Sequence, residues 1–207
     1  MHGVPRKTVR IYGLANGVEK APVADGIEVW CINSPRSMRI QRFAALREWT
    51  RWFNLHTLHH IRLRDARGYA YLQRKDGRRP VYLQEVDPTI PGSIPFPVEA
   101  VLAFAGHRFF TCTGVWLIAL AMIEGFTRIE IYGYRLEPTG EHAYQRPGFL
   151  YWVQRARAAG IEVVIPKGCI GHPKGDGTET APGNPLTYTG PLYGYEPHNA
   201  WYAETFG

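Results

Sequence analysis

The 207-residue chain has no apolar run long enough to cross a membrane: the longest, residues 115–123, makes about three helical turns. Cysteine is scarce. Cys31, Cys112 and Cys169 are widely separated and form no C-x-x-C pair, which argues against a disulfide framework and a cysteine-based zinc site. Cys31 and Cys112 sit inside apolar stretches, as buried thiols in a reducing compartment do. The opening MHGVPRKTVR lacks the apolar core of a signal peptide, so a cytoplasmic protein without a membrane partner is expected. No internal repeat is apparent. HPKGDGT at His172 has the composition of a phosphate loop but not the Gly-x-x-x-x-Gly-Lys-Ser/Thr spacing or its strand–turn–helix setting, and is rejected as one.

Positive charge is plentiful and concentrated. Residues 36–79 hold eleven arginines and one lysine against Glu48, Asp65 and Asp76, a local excess of +9 in a chain whose net charge is +6. Such a block suits nucleic acid or another polyanion, or a phosphate-bearing substrate; a solvated face of a basic protein is the plainer alternative.

Short apolar runs alternate with helical stretches along most of the chain. Residues 8–13 (TVRIYG), 28–32 (EVWCI), 51–55 (RWFNL), 81–83, 108–110, 128–132 (RIEIY) and 161–165 read as strands. Helices are expected over 58–75, where Gly68 is a weak point, and over 98–105, 115–123 and 147–159. The last of these would start at Pro147 and stop at Gly160, and Gly125 would cap the one before it. Residues 88–97 read as a proline-rich loop. Strands with no polar face imply a mostly parallel sheet covered on both sides, an α/β three-layer Rossmann-like domain over residues 1–170. From Gly171 seven glycines and five prolines interrupt 37 residues, so an irregular tail is expected over 171–207. Its aromatics (Tyr188, Tyr193, Tyr195, Trp201, Tyr202, Phe206) would wrap the domain or join a partner copy in a homo-oligomer.

Small polar residues gather where the strands end: Gly13, Asn16 and Gly17 after the first, Asn33 and Ser34 after the second, Asn54 at the third, and Gly133 after RIEIY. Thr113 and Gly114 open the buried helix. Ligands in open α/β sheets collect at strand carboxyl ends and helix N-termini, where free amides and the helix dipole favour anions. Asparagine amides suit ribose, base edges and phosphate, although asparagine is also a turn former. His56, His59 and His60 share helical spacing but lack a well-spaced carboxylate, so neither a metal nor a cofactor is expected.

Taken together, these motifs resemble the metal-independent bacterial sialyltransferases and the related Rossmann-like group that includes 6-hydroxymethylpterin pyrophosphokinases. The resemblance spans roughly residues 8–166. It implies a nucleotide-sugar-dependent glycosyltransferase-like protein, with the residues above holding nucleotide or nucleotide-sugar. It further implies His142 in GEHAYQRPG as general base, with Tyr144 assisting at the phosphate. Tyr134-Arg135 stands where the family carries an acidic residue, and little room for a lid is left between Arg135 and His142. The alternatives are a non-catalytic nucleotide or nucleic-acid binder and a nucleotide pyrophosphoryl transferase. The latter ordinarily needs Mg²⁺ with carboxylates to hold it, which the strand ends do not offer.

Overall fold

The computed structural model describes residues 6–15, 17–18, 21–22, 26–33, 49–175 and 180–193. Seven strands form one sheet: Thr8–Tyr12 (β1), Glu28–Ile32 (β2), Arg51–Asn54 (β3), Val81–Leu83 (β4), Ser93–Pro95 (β5), Arg128–Tyr132 (β6) and Glu162–Val164 (β7). Their order is β5-β4-β3-β2-β1-β6-β7, and every neighbouring pair is parallel. The chain therefore steps outward from β1 to β5, then returns to lay β6 on the other side of β1. The winding reverses between β1 and β6.

The period-2 geometry of a strand divides the apolar residues between two cores. Val9, Ile11, Trp30, Phe53, Ile129 and Ile131 meet the helices Val98–Ala105 (α3), Thr113–Ile123 (α4) and Gly140–Ala158 (α5) on one face. Tyr12, Val29, Cys31, Trp52, Val81 and Leu83 pack with Ile61 and Leu72 of the helices Leu58–Arg64 (α1) and Ala66–Gln73 (α2) on the other. Helices thus cover both faces, as the unbroken apolar strands require. The first nine residues of α4 are all buried, which explains a helix that is apolar all round. It ends in a Schellman turn: Gly125 takes φ +74°, its N–H donates to Met122 O, and that of Phe126 donates to Ala121 O. The three thiols are buried and free.

Several elements differ from expectation. The helix over 58–75 is two helices, broken at Asp65 rather than at Gly68. Asp65 ends α1 and caps α2 by accepting the Gly68 N–H on Oδ1 at 3.1 Å, while Gly68 is buried inside α2. Residues 108–110 form no strand; there Phe110 stacks its ring on Trp116 with centroids 3.8 Å apart. The proline-rich loop contains β5, an edge strand, which is where proline is tolerated in a sheet. Finally, α5 begins at Gly140, seven residues before Pro147, so that proline lies inside the helix.

Charged residues open the strands and pair with one another along the sheet's amino edge. Arg51 sits between Glu28 at 2.7 Å and Glu124 at 2.6 Å. Arg128 bridges Glu130, at 2.9 Å, and Glu162, which Arg6 also reaches. The described part of the C-terminal segment lies on its own domain: Gly183 N–H donates to Pro147 O at 2.9 Å, Tyr188 packs on Phe109, and Tyr193 lies 5.3 Å from the Trp116 ring. Tyr195, Trp201, Tyr202 and Phe206 are outside the described residues.

Candidate functional site

Where the winding reverses, the loops after β1 and β6 press together. Gly13 N–H donates to Tyr132 O at 2.8 Å, and Ala15 N–H to Gly133 O at 2.9 Å. Neither glycine admits a side chain. A Cβ on Gly13 would lie 2.3 Å from Gly133 O, and one on Gly133, whose φ is +73°, would lie 2.3 Å from Val18 Cγ2. Outside this crossing, at the carboxyl ends of the strands, is a cavity of about 350 Å³. Leu14, Ala15 and Asn33 form one wall and the first turn of α4 another. Residues 133–136 and the first turns of α5 close the rest.

The α4 entrance is rich in donors. Its N-cap is Cys112, which makes no side-chain capping hydrogen bond. Burial pushes the Cys112 thiol up to about 11, against the opposing pull of the Val115 and Gly114 amides, so it stays a neutral wall group. Thr113 Oγ donates to Asn33 Oδ1 at 3.2 Å. Asn33 is itself locked in a left-handed conformation at φ +48°, with its N–H on Phe53 O at 2.7 Å and its carbonyl accepting from Trp52 Nε1 at 2.9 Å. The backbone thus fixes where the side chain departs, and the Thr113 hydroxyl holds its Oδ1.

Tyr134 forms the floor. Its ring stacks on Phe149, and its buried hydroxyl has no hydrogen-bond partner among the described residues. Burial holds the phenol far above its ordinary range, which keeps it a neutral donor. A Cβ on Gly114 would lie 2.5 Å from the Tyr134 ring, so Gly114 is required for this packing whatever binds above it. At the rim, Arg135 is exposed and pairs with Glu137 at 3.2 Å. Buried Arg146 fixes that rim: it donates to the carbonyls of Arg135 and Leu136, and its Nε to Thr180 Oγ at 3.0 Å. His142 stands in the first turn of α5, its Nε2 3.8 Å from Glu141 Oε1, beyond hydrogen-bond range.

Of the residues singled out in the sequence, Asn33, Thr113, Gly114, Gly133 and His142 line the one cavity. Gly13 and Gly17 build its support from behind; Gly17, at φ +111°, faces Cys169. Asn54 does not reach it. Its side chain is on the α1–α2 side, where Oδ1 meets the His56 N–H at 3.5 Å. Tyr144 turns away towards Tyr188 of the C-terminal segment. Asn16 and Ser34 are outside the described residues. His56 and His60 stack their rings at 4.4 Å, and no group of three potential metal ligands forms among the described residues. Tyr134, Gln145 and Arg146 were not anticipated; the Tyr-Arg pair after Gly133 was the only available signal for the first.

No family model and no curated protein matches this chain. Among solved structures it is similar to the sialyltransferase CstII from Campylobacter jejuni in complex with cytidine-5'-monophosphate. The TM-score is 0.52 at 12% identity, over 77% of this chain and 79% of that one. The same enzyme with CMP-3FNeuAc gives a TM-score of 0.51, again at 12% identity, over 76% and 79%. At this identity the likeness establishes a sialyltransferase-like fold. Among the described residues no helix is long and apolar enough to cross a membrane.

Proposed function

We propose that the cavity binds a nucleotide-sugar and that the protein is a metal-independent glycosyltransferase. The observation carrying this reading is the donor-rich entrance of α4 beside the preset Asn33 amide, at the reversal point of a fold whose solved neighbour was captured with CMP and CMP-3FNeuAc. The α4 amides and dipole would face the phosphate, with Thr113 and Asn33 beside it. Tyr134, a neutral donor, lies under the same turn. As the sugar–oxygen bond to phosphate breaks, its electron pair goes to the phosphate oxygen, and these donors stabilise the charge. His142 takes the proton of the acceptor hydroxyl as the new glycosidic bond forms. Exposed Arg135 at the rim suits an anionic acceptor.

A thermal-shift scan over CMP, UMP, GMP and AMP, with and without Mg²⁺, tests the site: one nucleotide should raise Tm, and Mg²⁺ should add nothing. No shift with any of them overturns the reading. His142→Ala should lower turnover of the matching nucleotide-sugar about 10²–10⁴-fold while leaving nucleotide affinity intact. The short link between β6 and α5 favours a second reading, a nucleotide binder without transfer. A protein that binds nucleotide but neither transfers nor hydrolyses any nucleotide-sugar offered would establish it.

A further inference from the structure

The cavity makes no use of the basic layer on the opposite face of the sheet. Residues 58–80 carry six arginines and Lys75 against Asp65 and Asp76, a net of +5. Two of these cations are committed internally: Arg62 to Asp87 at 3.0 Å, and Arg79 to Trp49 O at 2.7 Å. Arg67 and Arg74 are exposed and have no partner among the described residues. Among the described residues Arg78 reaches only Asp76, at 3.5 Å, and its side chain is 85% exposed, so that pair holds it weakly. Arg67 and Arg74, the latter at the C-cap, share the side of α2 away from its buried Gly68 and Leu72, while Tyr71 packs inward on Trp52. Lys75 Nζ lies 3.7 Å over the Tyr71 ring.

We propose that this face of α2, with the turn after it, binds a nucleic-acid strand, Arg67, Arg74 and Arg78 taking its backbone phosphates. Arginine rather than lysine supplies nearly all of the charge, and its planar fork matches phosphate oxygens two at a time. Arg67 and Arg74 are separated by about 10 Å of helical rise, close to the axial rise of three nucleotides on one duplex strand. A membrane surface would call for several apolar anchors between the charges, whereas α2 exposes no large apolar side chain and the neighbouring α1 only Leu63. The inference does not depend on the nucleotide-sugar reading, since none of these side chains lines the cavity.

Anisotropy of a fluorescein-labelled oligonucleotide, single-stranded and as duplex, tests it. Wild type should bind at about 50 mM salt and lose about 20–40-fold by about 200 mM, the dependence expected for three phosphate contacts. Arg67→Glu/Arg74→Glu/Arg78→Glu should weaken binding at the lower salt at least as much, and keep wild-type Tm and any nucleotide-induced Tm shift. If that variant does not fold, Arg67→Gln/Arg74→Gln should still lower the salt slope by about two contacts. Absence of oligonucleotide binding at low salt overturns the proposal, as does unchanged affinity in the folded variants. Arginine-dependent binding to phosphatidylserine vesicles with none to oligonucleotides would overturn it in favour of a lipid surface.

Discussion

The two edges of the sheet use polar residues in opposite ways. At the amino edge Arg51, Arg128 and Arg6 are matched with Glu28, Glu124, Glu130 and Glu162, each charge meeting an opposite one. At the carboxyl edge glycines hold the crossing loops together, the first turn of α4 lines a cavity, and the Tyr134 hydroxyl has no partner among the described residues. One edge uses its polar groups on itself and closes; the other leaves donors free around a cavity. Substitutions at the first should therefore alter stability alone, whereas those at the second should reach ligand binding.

The largest effect is expected at the loop crossing. Gly13→Ala places a methyl against the Gly133 carbonyl, and should cost about 4 kcal/mol in a urea titration, or prevent folding. A wild-type midpoint would mean that the loops are not as close as described. At the opposite edge, Arg51→Met leaves Glu28 and Glu124 facing each other without their cation. We expect a loss of about 2–3 kcal/mol, less than for a fully buried pair because all three groups keep some solvent. Nucleotide affinity should not change; a binding defect in this variant would break the division between edges.

A pH titration sharpens the contrast. His56 follows β3 at the carboxyl edge, and burial, with His60 alongside, pushes its imidazole down to about 3. A histidine takes up its proton near pH 6.5 in the unfolded chain but stays neutral in the folded one. Stability is therefore lost as pH falls below about 6.5, and the loss continues towards pH 3. At pH 5 it amounts to about 2 kcal/mol. His56→Phe should flatten that part of the stability curve, and an unchanged slope would exclude His56 as its origin. The smallest effect separates two asparagines. Asn33→Ala should weaken nucleotide binding by about 1 kcal/mol, while Asn54→Ala should leave it unchanged in calorimetry. Equal losses would place Asn54 in the site after all.

What could be read in the sequence follows from how local each cause is. The apolar strands and the buried α4 were legible because their patterns lie within a few residues, and the gathering of Asn33, Thr113, Gly114 and Gly133 at one cavity because strand ends and a helix start mark them, whereas His142 was marked only by the family resemblance. Asn54 has the same local signature but is still in β3 and follows the alternation of Trp52 to the α1–α2 face, whereas Asn33 has left its strand in a left-handed turn at φ +48°. The break at Asp65 was obscured because Gly68 attracted the assignment, although an aspartate that can cap is the stronger interruption. Edge strand β5 was hidden by its prolines. Arg146 had no local signal: its acceptors are carbonyls ten and eleven residues earlier and a hydroxyl thirty-four later. Gly140 as the start of α5 was outweighed by the helix-entry preference of Pro147.

The pairing of β1 with β6 has a consequence for synthesis. Thr8 is in register with Arg128, so β1, an interior strand of the finished sheet, leaves the ribosome well over a hundred residues before its second neighbour. Until then β1 can pair only with β2, and its other side is an open edge able to accept a strand from another chain. The crossing of Gly13 over Gly133, and the cavity outside it, can form only when that wait ends. A nascent chain stalled within α4 would hold strands β1 to β5 with the β6 side of β1 still unpaired, and the proposed ligand could not yet protect it.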